Sequence, residues 1–219
     1  MLSELHVYDD LEPRPAALNM AVDEALLDAA LAPILRYYRW QQPALSFGYF
    51  GGYAEVEQHS RDREIVRRWT GGGIVPHGAD LTYSIIIPAG NPLLARSSPE
   101  IYSEFHDSIR RALQLNGIEA MLANAAAPKI SENCFANAVR ADVMSEGRKI
   151  AGAAHRRSRA GLLHQGSVQR GDLPGRFKDD LAFLLCEQFE RKKISPKLLA
   201  RAVRIADAKY GTREWLRRR

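Results

Sequence analysis

Apolar residues recur at helical spacing over residues 17–31, where Leu18, Ala21, Val22, Ala25, Leu26 and Ala29 share a side and Asp23, Glu24 and Asp28 fall elsewhere. That period predicts an amphipathic helix, closed by Pro33, which cannot continue one. The pattern then changes. Ile34–Trp40 and Ala44–Phe50 are dense in aromatic and β-favouring residues on either side of Gln41-Gln42-Pro43, and they read as consecutive strands. Glu64–Trp69 is a further short strand candidate, followed by Thr70-Gly71-Gly72-Gly73. After a turn at Pro76-His77-Gly78, Leu81–Ile87 is the strongest strand in the chain. Helical spacing returns over 98–116 through Ile101, Phe105, Ile109, Leu113 and Leu115, with Ser98-Pro99-Glu100 reading as its N-cap and Gly117 as its C-cap. Residues 123–131 read as a loop. Strands are predicted at 141–145, 149–155 and 162–168, with Gly147 and Gly161 at turns, and helices at 179–190 and 195–209 before a basic end at Trp215–Arg219. Strands clustered between helices, without regular alternation, predict an α+β fold with a mixed, largely antiparallel sheet flanked by helices.

Composition narrows this picture by exclusion. The 219 residues, 46% hydrophobic and 26% charged, suffice for one substantial core, and we read 1–219 as a single domain without a C-terminal accessory domain. No apolar run approaches the length of a membrane span, and Met1-Leu-Ser-Glu-Leu-His6 is not a secretory signal. Two cysteines, Cys134 and Cys186, cannot build a disulfide framework or a cysteine-rich metal site, so no metal is expected and the chain reads as cytoplasmic. Net charge is +5, and it is concentrated: Arg140, Arg148, Lys149, Arg156, Arg157, Arg159 and Arg170 face only Asp142 and Glu146 over one stretch. Such a stretch suits a phosphorylated small molecule or an acidic protein. Nucleic acid is disfavoured, because no aromatics interleave the cations and no nucleic-acid-binding motif is present.

The chemistry-bearing candidates are few. The phosphate loop, the dinucleotide fingerprint, HExxH, CxxC and GxSxG are all missing. Three features remain. Arg67-Arg68-Trp69-Thr70-Gly71-Gly72-Gly73 leads toward His77, and three successive glycines allow close approach of backbone to a ligand and expose N–H donors for an anion or carbonyl oxygen. Glu146-Gly147-Arg148-Lys149-Ile150-Ala151-Gly152 sets Lys149 at the start of a strand, able to reach a phosphate or carbonyl as a point charge. Cys134, in the polar segment Ser131-Glu132-Asn133-Cys134-Phe135, is a candidate nucleophile, whereas Cys186 sits in an apolar run and reads as core. His77 and His155 are candidate bases or ordinary polar contacts, and His164 reads as support for a strand end.

Taken together these segments resemble a known family. Asn19–Leu27, Arg36–Trp40, Leu45–Phe50, Arg67–Gly73, His77, Asp80–Ser84, Gly147–Gly152, His164–Ser167 and Lys209–Trp215 follow the order seen in the lipoate–protein ligase and octanoyltransferase family. The resemblance implies the biotin/lipoyl protein ligase catalytic-domain fold, related to the class II synthetase core, with an acyl chain in an apolar tunnel near the glycine loop. It also implies that Arg67, Arg68, Thr70, Gly71, Gly72, Gly73, His77, Gly152 and His164 contact substrate. Lys149 matches the family lysine that contacts the acyl carbonyl or an acyl-adenylate phosphate.

The family holds two chemistries. In the cysteine-type transferases a Cys-Phe pair precedes the lysine of the GRK motif, as Cys134-Phe135 precedes Lys149 here. By that match Cys134 and Lys149 are catalytic, octanoate arrives on acyl carrier protein, and no cofactor is needed. The acceptor is then a lysine of a lipoyl-domain protein such as the glycine cleavage H protein or a 2-oxoacid dehydrogenase E2. The alternative is an ATP- and Mg-dependent lipoate–protein ligase acting through lipoyl-adenylate, toward which the full glycine triplet points and which can use a separate accessory subunit. The basic stretch 140–170 suits either, steering an acidic carrier or meeting an adenylate phosphate. A non-catalytic relative that binds acylated carriers is disfavoured by the intact glycine loop and lysine.

Overall fold

In a computed structural model, which describes residues 2–126 and 137–218, the strongest apolar runs become the central strands of an eight-stranded sheet. In chain order the elements are β1 (His6–Arg14), α1 (Ala16–Ala29), β2 (Ile34–Trp40), β3 (Ala44–Phe47), β4 (Glu64–Arg67), β5 (Val75–His77), β6 (Leu81–Pro88) and α2 (Ser98–Leu115). They continue with β7 (Met121–Leu122), β8 (Val143–Ser145), β9 (Arg148–Ser158), β10 (Gly161–Val168), α3 (Phe177–Leu185), β11 (Glu190–Lys192), α4 (Pro196–Ile205) and α5 (Arg213–Arg217). The large sheet runs β11-β1-β2-β6-β10-β9-β8-β7, parallel where β1 meets β11 and β2 and antiparallel elsewhere. A second sheet, β4-β3-β5, is separate from it.

Alternation along the strands divides the core into two layers. Leu35, Tyr37, Ile85, Ile87 and Leu162 pack with Phe105 and Ile109 of α2 and Leu181 of α3. Ile34, Tyr38, Ile86 and Leu163 face the other way, against Val22, Ala25 and Leu26 of α1 and Ala202 of α4. Ala44 of β3 and Val66 of β4 belong to this second layer, so the small sheet lies on the α1 side. Cys186 is buried in the first layer, as its apolar surroundings predict.

Arg36 of β2 points into the α1 layer and is fully buried. Its guanidinium donates to Asp10 Oδ2 at 2.8 Å, Asp23 Oδ1 at 2.7 Å, Asn19 Oδ1 at 2.8 Å and the Asn19 carbonyl at 3.1 Å. Burial pushes the Asp10 carboxyl up, but hydrogen bonds and charge from Arg14 and Arg36 outweigh it and hold the group below the usual carboxylate range.

The structure corrects several expectations. The strand expected over 44–50 stops at Phe47, because Gly48 lies against the glycine loop: a Cβ there would stand 2.0 Å from the Gly72 carbonyl oxygen. The N-cap of α2 is Ser97, in a capping box with Glu100, so Ser98 is the first helical residue. The helix expected over 179–190 covers 177–185; the chain turns extended at Cys186 and then forms β11. β1 escaped the apolar-pattern reading because His6–Arg14 is rich in charge, and its buried Asp10 and Arg14 pair with each other. The basic stretch 140–170 is also not one free face. Arg157 donates to the Leu94 carbonyl and to Ser98 Oγ, Arg170 pairs with Asp172, and Lys149 pairs with Asp142.

Arg36→Ala is expected to cost about 3–5 kcal/mol, because it leaves Asp23 and part of Asp10 as buried, uncompensated charge. Denaturant unfolding checks this, and a loss below about 1 kcal/mol would mean that the carboxylates find other partners.

Candidate functional site

Lys149 and Gly152 stand three positions apart on β9, and in a regular strand they would point to opposite faces. They do not, because the β8–β9 register shifts: Val143 pairs with Ala151 and Met144 with Lys149, leaving Ile150 as an extra residue. The bulge swings the lysine over the glycine. A Cβ at Gly152 would lie 2.4 Å from Lys149 Cε and 2.7 Å from Nζ, so only glycine fits beneath it.

The Lys149 side chain is 3% exposed, and its ammonium meets Asp142 Oδ2 at 2.8 Å. Asp142 is fully buried; it also accepts the Tyr102 hydroxyl at 2.5 Å on Oδ1 and the Val139 N–H at 2.7 Å on Oδ2. Burial and the Asp142 charge push the Tyr102 phenol far above its ordinary range, so it stays a donor. Ala141, one residue earlier, holds φ at 68°, a left-handed conformation that costs a non-glycine residue roughly 1–2 kcal/mol. Its carbonyl accepts from His106 Nδ1 at 2.7 Å. Asp142 and Tyr102 are brought to the candidate lysine by the fold, and neither is among the site residues expected from the sequence. The only signal was an acidic residue inside a basic run.

A pocket opens beside Gly152. Tyr38 pairs with Thr82, Thr82 with Ser167, and Ser167 with Gly152, so its floor is one row of residues across β2, β6, β10 and β9. Three interstrand spacings make that row about 14 Å long. Val75, His77 and Ser46 of the small sheet form the opposite wall, and the walls stand close together, leaving a narrow cavity of about 30 Å³. Trp40 stacks on His77 with centroids 4.2 Å apart and donates to Thr82 Oγ1 at 2.7 Å, at the end of the row away from Lys149.

The polar groups of this wall are engaged with one another. Asp80 Oδ2 lies 2.8 Å from His77 Nδ1, which assigns the ring proton to that nitrogen. Nε2 then accepts the Ser46 hydroxyl at 2.6 Å, and Ser46 Oγ accepts from Arg68 at 2.7 Å. Burial lowers the His77 pKa against the pull of Asp80, so the imidazole is neutral. Asp80 is pushed up by burial and down, with the larger net effect, by His77, Ser167 and the Gly78 N–H, settling at about 2.

The other expected site residues divide. Arg68 lines the pocket and donates to the carbonyls of Gly71 at 3.0 Å and Gly73 at 2.9 Å, shaping the glycine loop from below. Gly72 needs its left-handed φ of 87° and lies beside Ala154, while the space around Gly71 is open. Thr70 is buried and donates to Gln165 Oε1 at 2.8 Å. Arg67 turns away from the pocket: it donates to the carbonyls of Tyr49, Gly51, Trp215, Leu216 and Arg218, tying the Gly48–Gly52 turn to the C-terminal helix. His164 also leaves the pocket. It faces α2, with Nδ1 2.5 Å from His155 Nε2 and Nε2 3.2 Å from the Tyr83 hydroxyl. Cys134 lies outside the described residues. Among those residues no cluster of metal-ligating side chains is present.

The site is thus a narrow, mostly apolar pocket on the sheet, with the buried Lys149–Asp142 pair next to its Gly152 end. The chain belongs to the lipoyl protein ligase A/B catalytic-domain family, whose description matches residues 15–173. It is 37% identical over 190 residues to octanoyltransferase LipM of Oceanobacillus iheyensis, covering 83% of this chain and 70% of that protein. To octanoyltransferase LipM of Geobacillus kaustophilus it is 34% identical over 187 residues, covering 77% and 66%. The chain thus spans about two thirds of the length of these relatives. The fold is that of a lipoate-protein ligase A solved with ATP, at TM-score 0.79 and 20% identity over 99% of this chain and 98% of that one. It is equally that of a bi-partite lipoate protein ligase from Thermoplasma acidophilum, studied with its E2 lipoyl domain, at TM-score 0.75 and 20% identity over 97% and 96%.

Two outcomes test this geometry. Gly152→Ala is expected to leave the fold intact, since the far end of a lysine can yield, while acyl transfer falls at least tenfold as Lys149 is displaced. A thermal midpoint and a rate on the same preparation check it, and an unchanged rate would separate Lys149 from the chemistry. Burial, with nearby positive charge, lowers the pKa of His106 and of His155 from 6.5 to about 4. The unfolded chain therefore takes up protons in that window that the folded protein refuses, and stability is expected to fall as pH drops from 6.5 to 4. His155→Gln is expected to flatten the dependence of thermal midpoint on pH.

Proposed function

We propose that this chain moves an octanoyl group from an acyl thioester onto a lysine of a lipoyl-carrier protein, with Cys134 carrying the acyl group between the two steps. The observation that carries this reading is the pocket, a narrow apolar slot that runs across four strands from Gly152, which lies under Lys149, to Trp40. An extended eight-carbon acyl chain measures roughly 9 Å from carbonyl to methyl carbon, at about 1.5 Å per C–C bond. That length is shorter than the row of about 14 Å, and in this reading the chain lies along it with its carbonyl toward Gly152 and its methyl toward Trp40, the facing walls parting to admit it. The octanoyltransferase names of the relatives support the same reading.

The chemistry needs little beyond placement. The Cys134 thiolate attacks the donor thioester carbonyl, the C–S bond to the donor breaks, and the donor leaves as a thiolate that takes up a proton. A neutral acceptor amine then attacks the Cys134 thioester; the amide C–N bond forms, the C–S bond to Cys134 breaks, and the amine proton returns to the thiolate. Each tetrahedral oxyanion needs fixed donors, and in this reading the Lys149 ammonium, paired with Asp142, supplies one. A positive charge beside the incoming lysine also favours its neutral, nucleophilic form. No nucleotide is consumed, since the thioester is already activated.

In this reading acyl carrier protein is the donor and a lipoyl domain, such as the H protein or an E2, is the acceptor; the E2 lipoyl domain studied with the T. acidophilum ligase supports that kind of partner. The setting is the cytoplasm, and among the described residues no helix is long and apolar enough to cross a membrane.

Intact-mass measurement after incubation with octanoyl-acyl carrier protein, without ATP, tests the thioester. The wild type is expected to gain one octanoyl group, removable by hydroxylamine, and Cys134→Ser to gain none. Modification of an apo lipoyl domain only with lipoate and Mg-ATP, equally by both proteins, would make the chain a ligase. Trp40→Ala tests the orientation: it opens the methyl end, and the ratio of dodecanoyl to octanoyl transfer is expected to rise at least tenfold. An unchanged ratio would place the methyl end elsewhere.

A further inference from the structure

Phe50 is 87% exposed, yet the turn that carries it is tightly held. Arg67 donates to the carbonyls on both sides of it, Tyr49 at 2.8 Å and Gly51 at 2.7 Å, and the Gly51 N–H returns to the Gly48 carbonyl at 3.0 Å. The Tyr49 ring braces Phe50 edge-on at 5.0 Å. A large apolar side chain fixed in water gives nothing to the fold and is already ordered for a partner. The turn abuts the glycine loop, since the Tyr49 N–H donates to the Thr70 carbonyl at 2.9 Å and Gly48 contacts Gly71 and Gly72. Phe50 therefore stands on the rim of the acyl site.

The surroundings of Phe50 are cationic. The Arg218 guanidinium lies 4.3 Å over the Tyr49 ring, with Arg156 at 4.8 Å over the same ring, and Arg217 lies 4.5 Å over Tyr53 while pairing with Glu57. Two carboxylates, Glu57 and the Glu55 that accepts the Gly52 N–H, accompany three guanidinium groups. These rings are covered by cations, so they offer no open faces for stacking nucleic-acid bases.

We propose that this rim is the docking surface for the acceptor domain, a folded acidic carrier that sets an apolar contact on Phe50 and carboxylates on Arg217 and Arg218. The proposal rests on the acyl-transfer reading and deepens it. Reach selects the acceptor over the donor. A lysine spans roughly 6 Å from Cα to Nζ, about five bonds, so the acceptor backbone must press against the rim while its amine attacks. A donor that carries its acyl group on a long flexible thioester arm has no such requirement.

The test uses the full chain in three measurements: loading from octanoyl-acyl carrier protein by intact mass, transfer to an apo lipoyl domain, and binding of that domain by calorimetry. Phe50→Asp and the double variant Arg217→Glu/Arg218→Glu are expected to raise KM and Kd for the domain at least tenfold. Loading and kcat should stay within twofold, and Phe50→Leu should restore binding. Added salt is expected to weaken binding by the wild type more than by the double variant. Domain binding unaffected by either variant, or absent altogether, overturns the proposal, as does loading that slows in step with KM. Tighter retention of single-stranded RNA than of the domain, lost in the double variant, also overturns it. A wild type that binds the domain through Phe50 but never loads or transfers octanoate leaves the surface standing and removes the acyl-transfer reading instead.

Discussion

One continuous run of buried hydrogen bonds ties β1, the second strand of the large sheet, to the loop above the pocket. Asp10 of β1 accepts from Arg36, Arg36 donates to Asp23 of α1, Gln165 of β10 donates to the other oxygen of Asp23, and Thr70 donates to Gln165. Each step spans 2.7–2.8 Å and lies in an almost dry layer. In such a medium an unmade hydrogen bond is costly, so the members must adopt their positions together. The constraint therefore passes from the core to Thr70 and fixes where the glycine loop starts. Apolar contacts alone do not set register that closely, because hydrophobic side chains of similar size substitute for one another.

The lysine poses the opposite problem, since its long side chain ends in a polar group where little water reaches it and needs a fixed partner. Asp142 answers this as a neighbour fixed by three partners, Tyr102, Lys149 and the Val139 N–H. A carboxylate held on both oxygens cannot swing to follow its partner, so Lys149 is positioned as well as neutralised. The strained Ala141 and the β9 bulge are two local departures from regular backbone that meet at this pair. Departures of that kind are found where geometry is needed for chemistry, and neither improves the packing of the sheet.

Much of this was legible in the sequence. The central strands β2, β6 and β10, the two longest helices and the GRKIAG segment follow from apolar period and turn residues, because their burial is carried by side chains of one polarity on one face. β1 was not legible, since its burial is achieved by ion pairing between Asp10, Arg14 and Arg36, which leaves a charged and surface-like pattern. The bulge was equally hidden: strand periodicity assumes two residues per repeat, and one extra residue at Ile150 reverses the face of everything before it. His164 shows the same limit, since it shares a segment with Gln165 and Ser167, and alternation sends those two to the pocket and the histidine to α2. The division of the sheets depends on how the Gly48 turn meets the glycine loop, a contact between segments distant in the chain.

Arg67 and Arg68 show how one local rule serves both parts of the site. They are adjacent at the end of β4, so their side chains leave on opposite sides of the backbone. Arg68 goes inward, joins Ser46 and the Gly71 and Gly73 carbonyls, and holds the glycine loop at the pocket wall. Arg67 goes outward and gathers the carbonyls of the Phe50 turn and of the C-terminal helix. The pocket wall and the Phe50 turn therefore hang from consecutive residues, the last of β4 and the one that follows it. Two neighbouring guanidinium groups thus couple the pocket wall to the Phe50 turn, because neither can shift without moving the segment that holds the other.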